Sequence, residues 1–192
     1  WPKWIPTSQH TLKITMNAPV EPKKFAFSQN ILPAIQDMAK EMVEVRHQIH
    51  AHPELAFEEH ATSDMVAARL KEWGYEVHRG LAGTGVGAPL DGQQGEGKTI
   101  GLRADIDALD IREETGLAYA SQTPGKMHAC GHDGHTTMLL GAAWALKQQP
   151  DFKGRVVFIF QPAEENEGGG RAMVEDGLFE RFPMDAVYGL HN

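Results

Sequence analysis

Apolar residues return every three or four positions from Ile31 onward: Ile31, Ile35, Met38, Met42, Val45 and Ile49. That spacing lays them along one face of an amphipathic helix. The helix should stop before His52-Pro53, because the residue preceding a proline is pushed out of the helical region. A second helix is predicted over 59–73, with Met65, Val66, Leu70 and Trp73 turned inward and Gly74 closing it. Residues 75–78 and 86–90 read as short strands, and the polar run 91–97 as a turn.

From residue 99 the pattern becomes strand–helix alternation. TIGLRA (99–104) is a compact apolar run, and TTMLLGAAWALKQ (136–148) has helical spacing. RVVFIF (155–160) is the strongest strand signal, GRAMVED (170–176) a short helix closed by Gly177, and AVYGL (186–190) a further strand. Such alternation predicts an α/β fold, a mostly parallel sheet flanked by helices. Each of the three strands runs directly into polar, chemistry-bearing residues: Asp105-Ile-Asp107 after the first, Gln161-Pro-Ala-Glu164-Glu165 after the second, and His191-Asn192 after the third. In open α/β sheets ligands bind beyond the carboxyl ends of the strands, so these groups should share one rim. The stretch MHACGHDGHT, with Cys130 and His132, leads into the helix between two of those strands and should open at the same rim.

Composition narrows the class. At 192 residues the chain suits one domain with a tail, and 41% hydrophobic with 23% charged residues reads as soluble and globular. A formal charge of −8 argues against nucleic acid as a partner, and no apolar run approaches the roughly 20 residues of a membrane span. The charge is uneven: residues 1–30 carry Lys3, Lys13, Lys23 and Lys24 against Glu21 alone, while the remainder is strongly acidic. One cysteine excludes an intrachain disulfide and fits a reducing, cytoplasmic setting. The opening WPKWIPTSQHTLKIT lacks the features of a signal peptide, and Met16 begins a more ordinary-looking start. Residues 1–30 are therefore read as an N-terminal extension outside the fold, partly disordered, with 1–15 derived from cloning or an upstream reading frame.

Thiolate, imidazole and carboxylate are the ligand types of zinc and related divalent ions. Gly131 allows the backbone turn that could aim Cys130 and His132 into one space. Adjacent glutamates leaving a strand point in different directions, so one of Glu164 and Glu165 can bind metal while the other faces substrate as proton acceptor and donor. Asp105, Asp107 and Asp133 are candidates to orient the ligating imidazoles, although Asp133 could equally cap the following helix. His128 and His135 stay undecided; His47, His50, His52 and His60 are read as surface or core residues. Gly168-Gly-Gly170 could cradle an anion, but flexibility around the site is the better reading. Cys130 as a nucleophile would leave the paired glutamates idle. A zinc deaminase is excluded, since its Pro-Cys-x-x-Cys needs a second cysteine.

Four segments in order, LRADIDALDIREETG, TPGKMHACGHDGHTTMLLGAA, FIFQPAEENEGGG and YGLHN, with RHQIHAHPELAFEE upstream, closely resemble the hippurate hydrolase and N-acyl-amino-acid amidohydrolase branch of the aminoacylase/carboxypeptidase-like dinuclear metallopeptidases. The resemblance runs from about residue 31 to 192. It implies that Cys130, His132, Glu165 and His191 bind metal and that Glu164 is general base and acid. Asp107 falls where the wider family has a supporting aspartate, and Asp105 stands where sister branches have a histidine ligand. It further implies an N-acyl amino acid substrate and two divalent ions per site (zinc, manganese, cobalt or nickel) in the intact enzyme. Asp110 departs from the proline usual after Ala-Leu, which affects a turn more than the chemistry. Family members are longer, with an inserted lid and dimerisation domain and a further histidine ligand near the far C-terminus. Residues 31–192 are thus expected to be the N-terminal portion of a metallohydrolase catalytic domain, truncated before the lid. Two alternatives stay open: a non-catalytic fragment holding one ion or none, and a metal-dependent esterase limited to activated esters. Self-association is expected from the uncovered core.

Overall fold

The computed structural model describes residues 33–165 and 167–192. The readings made for residues 1–30, and the first turn of the predicted helix at Ile31, lie outside the described residues. Helix α1 (Pro33–Ala51) ends just before His52-Pro53, and α2 (His60–Glu72) comes after a short irregular segment. Then come β1 (His78–Leu81), β2 (Gly85–Asp91) and β3 (Thr99–Asp105), a long irregular connection, and α3 (His132–Gln148). The chain finishes with β4 (Arg155–Gln161), α4 (Gly169–Glu175), α5 (Leu178–Arg181) and β5 (Ala186–Gly189).

The five strands form one sheet in the order β1-β2-β4-β3-β5. Its β4-β3-β5 part is parallel, as strand–helix alternation requires, whereas β1 and β2 extend it antiparallel. The antiparallel edge arises from the short link between β1 and β2, which leaves no room for a crossover helix. Strand β4 lies central and is buried along nearly its whole length. Its residues alternate between faces, as a period of two demands. Val156, Phe158 and Phe160 join Val45 and Ile49 of α1, Val66 and Leu70 of α2, and Leu139, Leu140 and Ala143 of α3 in the main core. Val157 and Ile159 face a smaller core with Leu81, Met173, Leu178 and Phe182. Helices therefore cover both sheet faces.

Two boundaries and one element differ from those read in the sequence. Strand β1 starts at His78 rather than Tyr75, because the Tyr75 ring turns into the core and its hydroxyl donates to the Ala143 carbonyl at 2.7 Å. Helix α3 starts four residues earlier than the apolar run, so His132, Asp133 and His135 are helical. The short α5 has too few residues to show a periodicity of its own. The parallel register pairs Asp105 with Gln161 and Arg103 with both Ile159 and Gly189, so β3 and β4 end level and β5 stops two residues before them.

Candidate metal centre

Every group singled out at the strand ends is carried to that rim. Asp105 closes β3 and is fully buried; Asp107 comes next, equally buried, after Ile106 donates its N–H to the Gln161 carbonyl at 3.0 Å. Glu164 and Glu165 leave the end of β4, and His191 comes two residues after β5. Cys130 and His132 arrive through the start of α3. There Gly131 has φ +92°, the left-handed region where L-residues are strained, and a Cβ would stand 2.7 Å from the Asn192 side-chain oxygen.

His132 is the centre of the cluster. Its Nδ1 lies 2.8 Å from the Asp107 carbonyl oxygen and 3.2 Å from Asp107 Oδ1, both acceptors, so Nδ1 carries the proton. The lone pair on Nε2 then points into the rim. Nε2 is buried and has no hydrogen-bond partner, and neither has Glu165 Oε1. Around Nε2, oxygens of Asp105, Glu164 and Glu165 each stand at 3.7 Å. That is too long for a hydrogen bond, yet donors sharing one ion at about 2.0–2.3 Å stand roughly 3–4 Å apart. Cys130 Sγ is 3.7 Å from His191 Nε2, which lies 3.9 Å from Asp105 Oδ2. Ligand atoms of Cys130, His132 and Glu165 all fall within 4.8 Å of one another, as do those of Asp105, His132, His135 and His191. Two orphaned donors facing each other in a ring of imidazole, thiol and carboxylate fit a divalent ion.

Electrostatics point the same way. Burial alone would lower the His132 pKa, but Asp107 and Asp105 outweigh it and raise it. Burial works to raise Asp107, yet the His132 imidazole and the backbone N–H groups of Glu165 and Glu164 hold it below the usual carboxylate range. The His132 shift reflects the carboxylates that converge on it, and the Asp107 shift the bonds that it accepts. Burial, Glu165, Glu164 and Asp105 push the Cys130 thiol up to about 11. A catalytic nucleophile requires the opposite, a thiolate favoured by cationic surroundings.

The remaining candidates are sorted by their contacts. His135 sits one turn beyond His132 on the same helical face and joins the cluster. Its Nδ1 lies 2.7 Å from Asp105 Oδ1, and its Nε2 meets the Asn192 side-chain amide at 2.7 Å. Both nitrogens are thereby engaged, so His135 orients Asp105. The i, i+3 spacing of His132 and His135 was the available signal. Arg103 Nη1 donates to Asp105 Oδ2 at 2.7 Å, which the sequence did not suggest. Asp133 neither caps α3 nor bonds to any group of the cluster; its Oδ2 accepts from Arg46 Nε at 3.0 Å and lies 2.9 Å from His50 Nδ1, tying α3 to α1. His128 is buried with neither ring nitrogen bonded, and burial first of all lowers its pKa to about 4.

Residues 101–192 match peptidase family M20/M25/M40. Hippurate hydrolase of Campylobacter jejuni is 52% identical over 85% of the chain. Residues 101–192 carry a peptidase M20 domain. An N-acetyl-L-cysteine deacetylase of Bacillus subtilis is 46% identical over 82% of the chain. A crystal structure of a dinuclear metal-binding M20 peptidase of Bacillus subtilis superposes with a TM-score of 0.77 at 41% identity, covering 82% of this chain and 44% of that one. The chain spans 42% and 38% of the length of the two enzymes named before it. The superposition on that M20 peptidase carries the α/β fold.

Proposed function

We propose that this chain carries the metal-binding and proton-transfer part of an amidohydrolase that cleaves N-acyl amino acids into a carboxylic acid and a free amino acid. The observation that carries the reading is the pair of orphaned, buried donors, His132 Nε2 and Glu165 Oε1, with Cys130, His191 and Glu164 around them. Likeness to hippurate hydrolase and to N-acetyl-L-cysteine deacetylase, both named for acylated amino acids, supports the substrate class.

In this reading Cys130, His132, Glu165 and His191 hold divalent metal, zinc or manganese by ligand type. A divalent ion held there would supply Lewis-acid polarisation of the amide carbonyl and a more acidic water. The chain's own residues do the rest. Asp107 keeps the His132 proton on Nδ1, so Nε2 stays a lone-pair donor. Its other oxygen accepts the Glu165 N–H at 2.9 Å, so a single carboxylate orients two ligands. Arg103 and His135 fix Asp105. Glu164, the more exposed glutamate at 33% against 22% for Glu165, is free to take the proton of the attacking water and return it to the leaving nitrogen.

E164Q keeps the side-chain shape and removes the basic oxygen. It should retain wild-type metal content while hydrolysis of an N-acyl amino acid falls by about 10²–10⁴-fold. Metal lost with hydrolysis retained would overturn the assignment. Turnover of an activated ester with none of the amide, in the metal-loaded wild type, would favour the narrower esterase.

A further inference from the structure

The HPELAFEE segment takes no part in the chemistry of the metal centre, yet it touches both loops that frame the site. The Ala108 N–H, one residue after Asp107, donates to the Glu54 carbonyl at 2.8 Å. The Ala163 N–H, one residue before Glu164, donates to Glu59 Oε1 at 2.8 Å. Glu59 Oε2 accepts the Thr84 hydroxyl at 2.6 Å, and the residue has no exposure at all. The Glu54 carboxylate meanwhile accepts the Ala61 and Thr62 N–H groups in the first turn of α2, which fixes the helix start from which Glu59 hangs.

Glu59 is costly where it stands. A carboxylate withdrawn from water loses hydration and is tolerated only where donors replace it. One of its donors, Ala163, stands directly before the paired glutamates. Ala163 is fully buried and has φ +50°, a conformation that is strained for a residue other than glycine. Such a residue persists only where its surroundings over-determine it. Glu59 clamps its N–H from one side, and the Gly169 N–H binds its carbonyl at 2.8 Å from the other. Gly169 must be glycine for that approach, since a Cβ would stand 1.8 Å from the Pro162 carbonyl oxygen. The twist at Ala163 decides where the next two side chains point.

We propose that Glu59 is a positioning residue: by holding the Ala163 N–H it sets the direction in which the chain leaves β4 and aims Glu164 and Glu165 at His132. The inference rests on the roles proposed for those two glutamates. Rigid holding matters because a ligand or base displaced by about 1 Å can cost two orders of magnitude.

The test compares E59A, E59D and E59Q in the metal-loaded enzyme, reading metal affinity by chelator competition, kcat and KM separately, and melting temperature. E59A and E59D, which lose or withdraw the oxygen at Ala163, should weaken metal binding and kcat by about 10- to 100-fold with KM little changed. E59Q should recover most of both, because its amide oxygen can accept the Ala163 N–H while its NH₂ faces the rotatable Thr84 hydroxyl. T84V removes only the other bond and should lower melting temperature without touching metal affinity. If E59A does not fold, E59D carries the test. A lowered melting temperature with wild-type metal affinity and kcat in E59D would overturn the proposal. Full activity in E164Q or E165A would overturn the underlying reading instead, whatever the Glu59 variants do.

Discussion

At the scale of single residues, two buried carboxylates, Asp133 and Glu59, are held by partners far away along the chain. Cys130, His132, Glu164, Glu165 and His191 could be read as one constellation because each lies just past a strand or opens a helix at the same rim. The Asp133 bonds to Arg46 and His50 span 87 and 83 positions of sequence, a distance no local pattern encodes. Glu59 was hidden for the same reason, since its partner Ala163 is 104 residues away. Burial raises the Glu59 pKa above its ordinary value, against the opposing hydrogen bonds. A carboxyl whose folded pKa is raised contributes stability that is fully present below the unfolded value, about 4.3, and is lost as pH rises through the folded value. E59Q cannot ionise, so its denaturation midpoint should gain on wild type as pH climbs through that window and level off above it. A difference between the two that does not vary with pH would contradict the burial argument.

At the scale of elements, periodicity located what it could. The α1 and α2 faces, β3, β4 and β5 arise directly from apolar spacing, and β4 is as buried as its unbroken run demands. Elements stabilised by something other than an apolar pattern escaped it. Helix α3 begins at His132 because Gly131 turns the chain and the first helical turn is filled with buried polar residues, His132 and His135 bonding to the rim aspartates and Asp133 to α1. A hydrophobic criterion starts the helix at Thr136 and so leaves the site's histidines in a loop. The antiparallel β1 and β2 edge depends on a short turn rather than on composition. The same holds for the Gly168–Gly170 triplet, whose middle member serves close packing against Pro162.

At the scale of the whole molecule, β5 is an edge strand of the sheet among the described residues, with little cover. Val187, Tyr188 and Leu190 are 42%, 60% and 64% exposed, and Met138 of α3 is 51% exposed nearby. Together with Leu102 and Ala142, most of these line an apolar cavity of about 320 Å³ beside the strand. Contiguous apolar surface at a bare strand edge favours pairing with another chain. This chain is therefore expected to self-associate, with a sedimentation coefficient that rises with concentration; one sharp monomer boundary at high concentration would contradict that. Among the described residues no helix is long and apolar enough to cross a membrane.

A thiol, imidazoles and a carboxylate held at one sheet end form a metal site: that is the central claim. Elemental analysis of metal bound per chain, after zinc loading and exhaustive dialysis, tests it most directly. Wild type and E164Q should retain at least one equivalent, and C130S and E165A should fall far below it. Equal zinc in all four proteins, or none in any, would contradict the account.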